Sequence, residues 1–115
     1  MTARSLWVKD QATWMALWRE AFSDRWPSPD LPEIDFEKDQ VLACFVGTCP
    51  NGGHQLILNQ VSRSADTLRV HLTHVSPGPT CVTTDALTQP YVMVQIPRQK
   101  ASEATFSTTQ KMNDC

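Results

Sequence analysis

The side chains with the greatest chemical reach in this chain are four cysteines, Cys44, Cys49, Cys81 and Cys115, and three histidines, His54, His71 and His74. Thiolates and imidazoles are the ligands of zinc-type centres and the partners in nucleophilic Cys–His pairs. Their spacing speaks against both uses. No C-x-x-C is present, and His71 and His74 stand three apart on a segment that reads as a strand, so they point to opposite faces. His54 begins another strand at a loop end. No metal site and no cofactor are therefore expected. A Cys49–His54 or Cys81–His54 pair would need a helix N-terminus or a fixed cation to depress the thiol pKa, and a proline-rich turn offers neither. Asp35 and Glu37, the best candidates for paired carboxylates, lie in a loop with nothing to desolvate them. The nucleophile elbow G-x-S-x-G, the zinc motif H-E-x-x-H and the phosphate-binding glycine loops are all missing from the sequence. The expectation is a protein with no catalytic residues, not an enzyme.

Composition narrows the class further. A chain of 115 residues with 41% hydrophobic and 19% charged side chains fits a single domain with a core of its own. A formal net charge of -2 is a poor match to a duplex nucleic acid, whose phosphates call for a basic face. No apolar run approaches the roughly 18–20 residues of a membrane-spanning helix, so no transmembrane segment is expected. Residues 1–4 lead into no signal-peptide core.

The elements that would position these side chains can be read from periodicity. Arg4-Ser5-Leu6-Trp7-Val8 has the character of a short strand, Asp10 can cap a helix, and residues 11–22 follow with Trp14, Trp18 and Phe22 four apart on one face. That aromatic stripe needs a flat partner such as a sheet. Residues 24–39 form an acidic, proline-rich loop in which Ile34 and Phe36 can tuck onto the core. From Val41 the period falls to 2. Val41–Val46 is a continuous apolar strand, residues 54–61 a second, and Leu68, Val70 and Leu72 alternate with polar residues in a third that has one wet face. These three read as an antiparallel meander. A polar loop over residues 80–89 precedes a last strand, residues 90–97. The expected fold is α+β, with one tryptophan-rich helix on a twisted antiparallel sheet, in a single domain over residues 1–98; residues 99–115 are expected to be a flexible polar tail.

In a meander, strand direction decides which loops are neighbours. The turn at residues 49–53 and the loop at 77–89 should share one end, which places Cys81 within reach of Cys49. A Cys49–Cys81 disulfide is expected if the protein is exported.

The ordered features resemble a known family, the C-terminal domain of PrcB-type protease complex subunits. The matching pieces are Trp14-Met15-Ala16-Leu17-Trp18, Ile34-Asp35-Phe36, Gly47 with Pro50-Asn51-Gly52-Gly53-His54, Leu68-Arg69-Val70, Ser76-Pro77-Gly78-Pro79, and Thr88-Gln89-Pro90-Tyr91 running into Val94-Gln95-Ile96-Pro97. The chain departs from the family pattern at His54, where the turn usually runs into tyrosine, and at Cys49. The resemblance implies a non-catalytic bacterial domain, exported to the periplasm or cell surface, acting as an accessory or stabilising subunit of a protease complex. Its partner would be a protein, a protease among the candidates, met by Asn51, Gly52, Gly53, His54, Pro79 and Tyr91. Two other readings stay open: the glycine turn looks like the wedge of chagasin-type protease inhibitors, without their Thr-Thr-Gly core, and the domain could bind a small molecule.

Overall fold

The computed structural model describes residues 3–23, 27 and 29–113. Cys115 lies outside them. The element order is β1 (Arg4–Val8), α1 (Gln11–Ala21), β2 (Asp39–Phe45), β3 (Gln55–Ser64), β4 (Thr67–Pro77), β5 (Tyr91–Pro97) and β6 (Glu103–Asn113). The strands form two three-stranded sheets, ordered β1-β2-β5 and β3-β4-β6. Over the described residues the architecture is thus mostly β with one short helix, consistent with α+β. Among the described residues no helix is long and apolar enough to cross a membrane.

Helix α1 starts where expected. Asp10 is extended and its Oδ1 accepts from the Thr13 amide at 2.7 Å, satisfying one of the donors that a helix N-terminus leaves open. Trp14 and Leu17 are buried against Val8, Val41, Ala43 and Phe45 of the first sheet. The indoles of Trp14 and Trp18 donate to the carbonyls of Pro32 and Pro29, at 3.0 and 2.9 Å, which ties the proline-rich loop along the helix. Leu31, Ile34 and Phe36 of that loop pack into the same cluster. A buried indole N–H needs an acceptor, and prolines leave their carbonyls available for it.

The meander is not formed. β2 pairs with β1 and β5, while β3 pairs with β4 in the other sheet. The cause is legible in burial. Val41, Ala43 and Phe45 face the helix, whereas Leu42 and Cys44 face the core shared with Leu68, Val70 and Leu72. A strand apolar on both sides needs cover on both, and a helix supplies only one. The β3–β4 hairpin therefore folds over as a second layer instead of extending the first sheet.

The expected flexible tail is a strand. β6 runs parallel to β4 over its full length, from Thr67↔Glu103 to Pro77↔Asn113. Its polar composition hid three features: Ala104 and Phe106 point alternately into the core, Ala101 is buried, and Thr105, Thr108 and Thr109 are β-branched.

Candidate functional site

Two loops close one end of the sandwich. The Cys49 amide donates to the Thr88 carbonyl at 2.7 Å and the Thr88 amide returns to the Cys49 carbonyl at 3.0 Å, an isolated antiparallel bridge. The Gly52 amide donates to the Thr84 carbonyl at 3.0 Å, and Thr88 Oγ1 donates to the Asn51 carbonyl at 2.8 Å. Close approach explains the glycines. A Cβ on Gly52 would stand 2.5 Å from Thr84 Oγ1; Gly53 has φ +87, and its Cβ would meet Thr83 and Pro77 at 3.1 and 3.2 Å.

The two loops do share an end, but the residue opposite Cys49 is Thr88 and not Cys81. Cys81 sits at the start of the second loop, its amide on the Gly78 carbonyl and its side chain near the Asn113 carbonyl at the end of β6. Cys49 is a buried free thiol, so the expected Cys49–Cys81 bridge is not made. The expectation followed the meander, and it falls with the second sheet: once β4 lies beside β6, the start of the loop is held there.

His54 and His74 come together instead. The hairpin pairs Ser64 with Thr67 and Val61 with Val70, then shifts by one residue between Leu58 and Gln60, so that Leu56 opposes His74. The extra residue is Asn59, whose Oδ1 accepts from Thr73 Oγ1 at 2.6 Å. One bulged residue inverts which side chains share a face. Without it, even-numbered β3 residues would lie opposite the face that carries His74; with it, His54, Leu56 and Leu58 join His74, Leu72 and Val70. His54 Nδ1 then lies 3.0 Å from His74 Nε2, and His54 Nε2 lies 2.9 Å from Asn51 Oδ1. Cys49 completes the group, with the three ligand-type atoms all within 4.8 Å of one another. Burial lowers the pKa of His74, the neighbouring His54 lowers it further, and a hydrogen bond with Gln110 opposes them. Burial raises the Cys49 thiol.

The other expected contact residues are dispersed. Asn51 and Gly52 are half-buried, Gly53 and Pro79 exposed, and His54 turns inward to His74. Tyr91 lies on the helix side of the first sheet, its ring 5.8 Å from Phe22 in an edge contact and 6.1 Å from Phe45. Two residues that the sequence reading passed over are more prominent: Val82 is 100% and Leu87 73% exposed, both on the loop taken as simply polar. An isolated valine and leucine among threonines were the available signal. For the histidines the signal was the spacing Leu56-x-Leu58-x-x-Val61, which breaks period 2 where the bulge occurs.

A family model described as PrcB C-terminal matches residues 40–97, from β2 to the end of β5. No curated protein matches the chain, and no solved structure does.

Proposed function

The chain belongs to the PrcB C-terminal family, and from that premise we propose that it is a non-catalytic protein-binding domain, an accessory or stabilising subunit of an exported bacterial protease complex. The observation that carries the binding role is the pair Val82 and Leu87, large apolar side chains turned to solvent on a loop braced by the Cys49–Thr88 bridge. Braced apolar residues lose little conformational freedom when covered, which is what an interface anchor requires. Gly52 packs beneath Thr84, so the glycine turn is less suited to act as a wedge than the loop lying over it.

The test is capture of a protease by the full chain from native extract, with identification of the captured protein. Val82→Asp combined with Leu87→Asp should abolish capture and leave thermal stability within about 0.5 kcal/mol, as befits exposed positions. Undiminished capture by that double variant would remove this loop from the interface. Stoichiometric slowing of a papain-like or subtilisin-like protease by the purified chain would replace the accessory role with inhibition, and a thermal shift with a metabolite would favour small-molecule binding.

A further inference from the structure

We propose that Cys49, His54 and His74 form a binding site for a zinc-class divalent ion, held by Sγ, Nδ1 and Nε2, with a fourth position open to water. The site is separate from the protein-binding role and does not depend on it. The three donors arrive from three pieces of backbone whose positions are already fixed: the Cys49–Thr88 bridge, the entry to β3, and β4 beyond the bulge. Around a tetrahedral ion with bonds of about 2.0–2.1 Å to nitrogen and 2.3 Å to sulfur, two nitrogens stand about 3.3 Å apart and nitrogen and sulfur about 3.6 Å. The His54 Nδ1 to His74 Nε2 distance is 3.0 Å, and all three donor atoms fall within 4.8 Å of one another. An ion would part the two rings by a few tenths of an ångström and draw the thiol in by an ångström or so, shifts that side-chain torsions can supply.

The surroundings suit ligation. Asn51 Oδ1, 2.9 Å from His54 Nε2, holds the ring proton on that nitrogen and leaves the Nδ1 lone pair facing His74. The donor set contains sulfur and imidazole nitrogen and no carboxylate, a choice that favours zinc over magnesium or calcium. A cavity of ≈ 240 Å³, bordered by Cys44, Leu56, Leu72 and Gln110, reaches the site at His74. Binding releases the thiol proton of Cys49 to solvent, and the His74 proton moves from Nε2 to Nδ1, so one proton is lost per ion.

The full chain, stripped with a chelator, is titrated with Co(II) and then Zn(II). One equivalent of Co(II) should give a near-ultraviolet thiolate-to-cobalt band with visible absorption of tetrahedral intensity, and Zn(II) should erase both. Cys49→Ser should lose the thiolate band and bind Zn(II) at least about 100-fold more weakly; Asn51→Ala, acting through His54, should cost roughly 10-fold. His71→Gln and Cys44→Ala should leave binding as it was. A thiolate band absent from the folded wild-type chain, or retained in Cys49→Ser, overturns the site. If Cys49→Ser fails to fold, the wild-type chain decides: Zn(II) should protect Cys49 from alkylation, and an unchanged alkylation rate overturns it equally.

Discussion

The two sheets differ in how many of their faces are covered. The β1-β2-β5 sheet lies between helix α1 and the second sheet, and every residue of β2 from Gln40 to Phe45 is buried. Its one interior polar side chain, Gln40, is satisfied by the Trp7 indole at 2.9 Å and the Gln99 amide at 3.1 Å. The β3-β4-β6 sheet covers only one face. On the other it carries polar pairs, Thr73 with Asn59 and His71 with Ser107. The first sheet buries apolar side chains on both faces, while the second, with polar residues on its outer face, can tolerate a bulge and carry histidines at its end. The largest expected effect follows: Trp14→Ala, which empties the helix–sheet layer and strands the Pro32 carbonyl, should cost about 3–5 kcal/mol in chemical denaturation. A loss under about 1 kcal/mol would mean that the helix is an accessory to the first sheet and not its cover.

Deleting Asn59 tests the second sheet from the inside. Removing the bulged residue forces either Val61 or the Leu56–Leu58 pair out of the core, at a cost of about 3 kcal/mol, and in the second case it also separates His54 from His74 onto opposite faces. Denaturation together with nuclear magnetic resonance of the histidine rings would show both; a deletion variant of undiminished stability would place the register shift elsewhere. Phe106→Ala comes next, at about 1–2 kcal/mol, because the ring is half-buried in the shared core. A flexible tail would give no loss at all, so this variant decides between the strand and the expectation from composition.

Much of the first sheet and its helix was legible in the sequence. Asp10, the Trp14–Trp18–Phe22 spacing and the apolar run from Val41 each carry a local signal, and the structure keeps all three. What the sequence did not disclose was pairing. That β2 is apolar on both faces pointed to two covers, yet nothing local says that its neighbours are β1 and β5. β6 was missed because its ladder with β4 is made by backbone groups, which any sequence possesses, and only Ala101, Ala104 and Phe106 mark it as buried. The candidate site was half legible. The turn at residues 49–53 and the loop at 77–89 share an end as expected, whereas the bulge at Asn59, which brings His54 to the face of His74, leaves only a broken period in the sequence.

The bulge and the histidines can be separated by smaller effects. Thr73→Val removes the hydroxyl that holds Asn59 while keeping the shape of the side chain, and should cost about 1 kcal/mol on the exposed face. The acid dependence of stability isolates the inner face. His74 has a pKa below its ordinary value of 6.5 because it is buried and faces His54, so near and below pH 6.5 the unfolded chain binds more protons than the folded one. Its contribution is therefore present above the unfolded value and is lost as the pH falls through the lower folded value. In chelator, with the neutral Cys49 thiol and the His54 ring as the titratable groups facing it, His74→Gln should flatten the fall of melting temperature as the pH drops below about 6.5. A slope as steep as that of the wild-type chain would assign the acid sensitivity to groups outside this cluster and leave the inner face of the second sheet without a pH-responsive element.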